Sequence, residues 1–413
     1  MRILVVTQYF WPENFKINDF VLGMSELGHS VTVLTGKPNY PSGRFYKGYN
    51  FFSRRTDHYN YIKIIRAPLI TRGGGGGLRL MMNYFSFAFF ASVSGLLRVR
   101  NSFDVIFVYE PSPITVGIPA IVLRKKFDIP VFLWVQDLWP ESVEIAGNVK
   151  NKTVLEMLNK LVIKIYKNTD KILISSRSFF DSIRLKDVES DKIIYFPNWP
   201  EDVYTSENPD VLKYLDIMPS GFRIMFAGNI GDSQDFESIL MSADLLRQNK
   251  KIHWIIIGDG RRKLWLESEV KRLGLSSNFH ILGSYPQNDM PNFFHHCDAL
   301  LVSLKDSKIF SMTVPAKIQS YLAFGKPILA MLNGEGSSII LEAGAGLSCN
   351  AGDFKQLAIN VEILAGSDED HLRKMGENAR KYSNENFNRA LLFKKFEQIY
   401  LDFKGEKNNK GFR

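Results

Sequence analysis

Apolar residues recur along this chain in two alternating rhythms. Short apolar runs at Arg2 to Thr7, Val31 to Gly36, Asp104 to Glu110 and Val131 to Asp137 read as buried strands. Between them stand stretches of helical spacing, Asn18 to Leu27 ended by Gly28, and a second near Thr115 to Lys126. Further strands are predicted at Lys171 to Ser175 and Lys192 to Phe196, with a short one near Ile62 to Arg66. Over 199–221 Pro, Ser and acidic residues replace the periodicity, and the alternation then restarts with strands at 223–228, 253–258, 279–282, 299–304 and 327–332. The predicted class is α/β, two Rossmann-like doubly wound domains, 1–200 and 201–386, facing across a cleft. In such sheets ligands gather beyond the carboxyl ends of the strands, so the loops there hold the candidate chemistry.

The stretch from Ser311 to Leu329 organises the second domain. Thr313 is placed to cap a helix, Pro315 suits its first turn, Ile318, Tyr321 and Leu322 keep helical spacing, and Gly325 stops the run. A helix starting in such a loop points free amides and its positive dipole end outward, and Lys317 adds a point charge. This is a diphosphate site in outline, although an ordinary loop, helix and strand would read the same way. Strand ends in this half are rich in glycine: GNIGD at 228–232, GDG at 258–260 and Gly283 before Ser284 and Tyr285. Glycine there permits close backbone approach to a phosphate or ribose. In the first half, Gln136, Asp137 and Glu141 project from a strand end, where a carboxylate could take a proton or steady a developing cationic sugar; capping the next turn is the plainer role for Asp137.

Composition narrows the field. A chain of 413 residues with 45% apolar and 13% aromatic content supports real cores, and its +9 charge favours anionic partners without choosing among them. That charge is spread along the chain, which argues against a nucleic-acid stripe. Cys297 and Cys349 stand far apart with no metal-ligand spacing and read as buried, reduced packing residues. The loop QYFWPENFKIND lacks the glycines of a dinucleotide fingerprint, and no phosphate loop of the ATPase type occurs. The histidines keep no catalytic spacing, with His58 alone on the loop-rich side. The apolar N-terminus is too short for a signal peptide, so a cytoplasmic location is expected. RGGGGG at 72–77 reads as a mobile segment over the crevice or as a plain surface connection. Residues 80–97 carry no charge and are flanked by Arg79, Arg98 and Arg100. They predict a domain helix, either wholly buried or laid on a membrane by a face that includes Phe87 and Phe90.

Six stretches, VVTQYFWPE, LGHSVTVLTGKPNYPSG, VFLWVQDLWPES, FAGNIGDSQ, VPAKIQSYLAFGKPIL and KMGENARKYSNENFNRALLFKKFEQIY, together resemble glycosyltransferase family 4, whose members have the two-domain GT-B fold. The combination of PNYP, WVQDLWPES, GNIG and PAKIQSYLA is similar to the WbuB-like L-fucosamine transferases of bacterial surface-polysaccharide loci. The resemblance implies transfer of a sugar from a UDP-linked donor to a polyprenyl-diphosphate-linked glycan at the inner membrane face, through the apolar segment 78–100, with no metal, cofactor or nucleic acid. By motif position, Gly228, Asn229 and Gly231 would lie at the phosphates, Lys317 near the diphosphate, and Gly283, Ser284 and Tyr285 at the base. Gly258, Gln234, Gln136, Asn39 and Tyr40 complete the candidate substrate contacts, and Asp137 with Glu141 the catalytic ones. The final helix, about 387–405, would return to the first domain. Two departures stand out: the family's two glutamates separated by seven residues fall at Met312 and Ser320, and its Arg and Lys pair at Asn229 and Gln234. Retaining stereochemistry is therefore not assumed, and an inverting reaction would make Asp137 the base. A nucleotide-sugar 2-epimerase and a catalytically silent relative remain as alternatives.

Overall fold

Near-continuous Val, Ile, Leu and Phe runs form strands buried on both faces, as a parallel sheet with helices on either side requires. The computed structural model describes residues 1–410 except 101, 146, 148, 206–208 and 211, and only the backbone of 408–410. The first unit comprises Met1–Pro197 with Phe393–Arg413, and the second Asn198–Leu392. The predicted linker region 199–221 falls in the second unit, and its residues 206–208 and 211 lie outside the described ones.

In the first unit the strands are β1 (Arg2–Val6), β2 (Ser30–Gly36), β3 (Thr56–Tyr59), β4 (Ile62–Ala67), β5 (Val105–Glu110), β6 (Val131–Val135), β7 (Lys171–Ile174) and β8 (Ile193–Tyr195). They form one sheet in the order β3-β4-β2-β1-β5-β6-β7-β8. Every pairing is parallel except β3 with β4. Helix Arg389–Lys410 packs on this unit through Phe393 and Phe396, whose rings lie 5.7 and 5.1 Å from Phe20 of helix Lys16–Glu26, and Phe396 lies 5.0 Å from Phe107 of β5, while His29 Nε2 meets Glu397 Oε1 at 2.8 Å. Gly23 makes room for it, because a Cβ there would sit 1.8 Å from the Phe393 ring.

Helix Gly77–Arg98 is long and apolar enough to cross a bilayer by length and composition. Its inner face is nevertheless built into the unit. Asn83 is buried, accepting from Gln8 Nε2 at 2.7 Å and donating to Ile70 O at 2.6 Å, and Phe87, Ala88, Ala91, Ser94 and Gly95 are buried with it. Phe87 therefore belongs to the core rather than to an outer face, and Phe90 packs edge-on against Phe51 at 5.3 Å. The outward row is Leu78, Met81, Met82, Phe85, Phe89, Val93, Leu96 and Leu97, with Phe89 at 63% and Leu97 at 67% exposure. The glycine run ahead of the helix is tied down at its start, where Gly73 donates to Gly43 O at 3.1 Å, and Gly77 already belongs to the helix.

The second unit holds β9 (Phe222–Ala227), β10 (Ile252–Ile257), β11 (Phe279–Gly283), β12 (Ala299–Ser303), β13 (Ile328–Met331) and β14 (Gly346–Cys349). Their order is β11-β10-β9-β12-β13-β14, parallel throughout. Cys297 and Cys349 are buried free thiols.

Candidate active site

The second sheet reverses its direction of winding between β9 and β12: β10 and β11 extend it one way, β13 and β14 the other. That junction opens a crevice at the carboxyl ends, and the strand-end glycines set its shape. Gly258, at φ +150°, could not carry a side chain, since a Cβ would lie 1.8 Å from Gly228 O. The two strand-end loops thus touch backbone to backbone, and Gly258 N also donates to Gly283 O at 2.8 Å. A cavity of about 360 Å³ results, lined in part by Gly228, Asn229, Gly258, Ser284 and Tyr285. Gly231 and Gln234 are not on its wall. Instead Gln234 Oε1 accepts the Gly231 amide at 3.1 Å, so this side chain holds the loop in shape. Asp259 of the GDG turn also lines it, as do Tyr204, Gln287 and Met290, which the sequence pattern does not single out.

Helix Ala316–Phe324 reaches this crevice with Ile318, Tyr321 and Leu322 buried beneath it, and ends at Gly325 in the left-handed conformation. Its start departs from expectation. Pro315 occupies the cap position without a side-chain bond, and Thr313 Oγ1 donates to Phe310 O at 3.1 Å, closing the preceding helix Lys308–Met312. Lys317 projects from the first turn toward Gly228, where an added Cβ would come within 2.7 Å of its Cε and 3.0 Å of its Nζ. The ammonium stands 3.3 Å from the Phe226 ring centroid. Burial lowers its pKa to about 7, and no carboxylate contributes to offset this. A desolvated cation above a glycine bend, with a helix N-terminus behind it, is arranged to receive an anion. Of the two positions where glutamates were expected, Met312 ends the short helix, and Ser320 Oγ donates to Glu201 Oε2 at 3.2 Å.

In the first unit the winding reverses between β1 and β5, and the loops following β1, β5 and β6 carry the polar groups. Asp137 accepts the Ser142 hydroxyl. Burial raises its pKa to about 6, against the pull of hydrogen bonds from Ser142, Ser112 and Trp139. Trp139 Nε1 in turn donates to Ser112 Oγ at 3.1 Å, so indole and hydroxyl brace one another beside the carboxylate. Behind lies Glu110, fully buried; burial first and the Asp137 charge second hold its pKa well above the usual carboxylate range. Glu141 is engaged differently. It accepts from Lys186 Nζ at 2.6 Å and Ser182 Oγ at 2.9 Å, and although burial opposes it, the lysine keeps its pKa below the ordinary value. Of the two carboxylates Asp137 thus has the properties of a proton acceptor near neutral pH, and Glu141 those of a fixed ion-pair partner. Gln136 continues the strand end, its backbone N–H donating to Glu110 O at 2.9 Å.

The loop bearing Asn39 and Tyr40 is held from below by a residue that sequence reasoning passed over. Glu13 Oε1 accepts both amides, each at 2.7 Å, and Oε2 that of Phe10 at 3.3 Å. Burial nonetheless raises the Glu13 pKa to about 7. Asn39 is itself buried, with Oδ1 accepting the Arg72 amide at 3.1 Å and Nδ2 donating to Lys37 O at 3.0 Å, while Arg72 covers the Tyr40 ring at 4.8 Å. Asn39 is therefore a strut of the loop, and Tyr40, 37% exposed, is its outward group. His58 lies on the edge strand β3. Among the described residues no cluster of metal-ligating side chains occurs.

Comparison with known proteins agrees with this architecture. Residues 16–199 match the glycosyl transferase 4-like domain and residues 216–382 the glycosyl transferases group 1 model. The chain carries both domains and is a glycosyltransferase of the GT-B fold. It is 27% identical over 321 residues to a protein of Pseudomonas aeruginosa described as probable glycosyltransferase WbjE, covering 75% of this chain and 77% of that one. It is 26% identical over 345 residues to WcaI of Escherichia coli (strain K12), described as a colanic acid biosynthesis glycosyl transferase, covering 79% and 82%. Anabaena HepE in complex with UDP superposes with a TM-score of 0.68 at 10% identity over 97% of this chain and 100% of that one, a likeness of fold.

Proposed function

We propose that this glycosyltransferase moves a sugar from a UDP-linked donor to a hydroxyl of a polyprenyl-diphosphate-linked glycan in bacterial O-antigen or capsule biosynthesis. N-acetyl-L-fucosamine is the donor sugar we favour, from the motif combination shared with WbuB-like enzymes. The observation that carries the reading is Lys317, a half-buried cation against Gly228 with no carboxylate partner among the described residues. A diphosphate there would supply the missing counter-charge, and the adjoining cavity with Ser284 and Tyr285 would take the base. HepE binds UDP on the same fold, and WcaI is described for colanic acid, both consistent with a nucleotide-sugar enzyme of polysaccharide assembly.

In the proposed reaction the acceptor hydroxyl oxygen bonds to the anomeric carbon and its proton passes to Asp137. The bond from that carbon to the diphosphate breaks, and its electron pair leaves on UDP beside Lys317. A carboxylate with a pKa of about 6 is ionised at pH 7 yet basic enough to take part. No metal or cofactor is assigned a role. The outward apolar row of helix Gly77–Arg98, with Arg79 and Arg98 at its ends, would lie against the inner face of the cell membrane, where a polyprenyl acceptor is confined. The test offers purified protein a panel of UDP-sugars, including UDP-N-acetyl-L-fucosamine, with a lipid-diphosphate GlcNAc acceptor, and measures UDP release. Acceptor-dependent release with one donor is expected; absence of any uridine nucleotide binding would overturn the reading.

A further inference from the structure

Two arginines flank the glycine run ahead of helix Gly77–Arg98, and their surroundings differ. Arg79 is exposed and committed to its own chain, with Nε donating to Thr71 O at 2.7 Å and a terminal nitrogen to Thr71 Oγ1 at 3.2 Å. Arg72 has a fixed backbone and an uncommitted side chain. Its N–H donates to Asn39 Oδ1 at 3.1 Å, and its carbonyl accepts from Gly75 at 3.2 Å. The guanidinium is half-buried over the Tyr40 ring at 4.8 Å and forms no ion pair among the described residues. Aromatic groups surround it. Tyr9 is buried with its ring 5.6 Å from that of Tyr40, and Tyr84, half-buried on helix Gly77–Arg98, meets Trp139 edge-on at 6.1 Å. Burial raises the pKa of the Tyr9 and Tyr84 hydroxyls, and the Arg72 charge pulls against it in both. The Asp137 charge acts on Tyr84 as well, so this tyrosine stands in the field of both the free cation and the carboxylate.

From this arrangement we infer that Arg72 binds the diphosphate of the acceptor, with the Tyr40 ring as the support that holds its guanidinium plane. The inference rests on the lipid-diphosphate acceptor proposed above and names the residue that reads it. A guanidinium carries five donors in a planar fork that matches phosphate oxygens in pairs. Stacking against an aromatic face steadies the plane and leaves the donors at its edge free. A half-buried cation with no counter-charge has lost part of its hydration, and an anion restores what burial removes. A lipid-linked acceptor presents an apolar chain, then the diphosphate, then the sugar with the reacting hydroxyl. The first unit holds groups suited to each part: the outward apolar row beginning at Leu78, Arg72 in the loop just ahead of it, and Asp137, whose field Tyr84 shares with Arg72. Phospholipid headgroups are met instead by the exposed Arg79, which stands on the same helix as the apolar row.

The experiment is calorimetric titration of the full chain with three probes, GlcNAc joined to a farnesyl chain through a diphosphate, a monophosphate or an uncharged ether. The wild-type protein should bind the diphosphate probe about 10- to 100-fold more tightly than the ether, the scale of one charge-assisted contact, with the monophosphate between them. Arg72→Ala should lose that preference and bind the ether probe within twofold of wild type. Arg72→Lys, which keeps the charge without the fork, should retain part of it. Unchanged melting temperatures and UDP affinity would show that fold and donor site are intact. A diphosphate preference that survives in Arg72→Ala overturns the inference, as does equal binding of the three probes, or binding of none, by the wild-type protein. Loss of binding to phosphatidylglycerol vesicles in Arg72→Ala with the probe preference intact overturns it too, and gives the cation to a phospholipid headgroup. UDP release separates this from the reaction itself. Acceptor-dependent release without an Arg72 effect on the probes removes the inference alone, whereas Arg72-dependent probe binding without release from any donor removes the transfer reading and leaves the diphosphate site.

Discussion

Lys317 makes a prediction that involves protons as well as affinity. In the free protein burial lowers its pKa to about 7, so at pH 8 roughly nine-tenths of the molecules carry it neutral. A diphosphate at Gly228 favours the charged form. Returning the pKa from about 7 to the ordinary 10.5 would be worth roughly 5 kcal/mol, the ceiling for coupling between this proton and the ligand. UDP is already fully ionised at pH 8, its last phosphate pKa being near 6, so the proton must come from solvent. Binding should therefore take up about 0.9 proton, and affinity should fall about tenfold for each pH unit above 7. Titration calorimetry at pH 8 in two buffers of different ionisation enthalpy measures the uptake directly. Lys317→Met should remove it and weaken UDP binding by 10- to 100-fold, the scale of one charge-assisted phosphate contact. No uptake by the wild-type protein, or the same uptake by the variant, would refute the placement of the diphosphate at this lysine.

The other predictions concern the first unit. Asp137→Asn should lower turnover by about 10² to 10⁴ and leave UDP affinity within twofold, and the wild-type kcat/KM should fall with acidification below about pH 6, where the carboxylate gains its proton; turnover that survives the substitution removes Asp137 from the chemistry. Glu13 has a folded-state pKa of about 7 against 4.5, so its contribution to stability is complete below pH 4.5 and is lost as pH rises through 7. Between pH 5 and 8, urea unfolding of the wild-type protein should show roughly 2 to 3 kcal/mol more loss than Glu13→Gln, which cannot ionise; parallel curves would contradict the burial argument. Exchanging Phe89 and Leu97 for Ser should move the protein from anionic liposomes into the supernatant on sedimentation without changing its melting temperature, and undiminished liposome binding would take the membrane contact away from helix Gly77–Arg98.

How far the sequence discloses this molecule depends on where each residue finds its partners. Strands buried on both faces announce themselves as apolar runs, and the predicted strands lie within a residue or two of the observed ones. The two that escape are β3, a polar edge strand with sequence TDHY, and β14, with sequence GLSC, because neither has the composition of a buried run. The glycines at 228 and 258 were legible since glycine at a strand end has few reasons other than close backbone approach. Thr313 was misread because a threonine between two helical stretches can close one or cap the next, and only the acceptor, Phe310 O, decides. Phe87 and Phe90 show the same limit on a helix almost wholly apolar, whose inner face carries the buried Asn83. Its partner Gln8 lies 75 positions away, beyond any periodicity. Glu13 holds amides 26 and 27 positions downstream, and Glu201 meets Ser320 across 119. Spacing rules describe one element at a time, whereas each of these carboxylates acts on a distant segment that the fold of its own unit brings to it. A motif scan that expects glutamate at position 320 finds serine and reads a loss, yet the folded chain sets a carboxylate 3.2 Å from that serine's hydroxyl. The function of a missing residue is therefore sought first among the groups that its replacement touches.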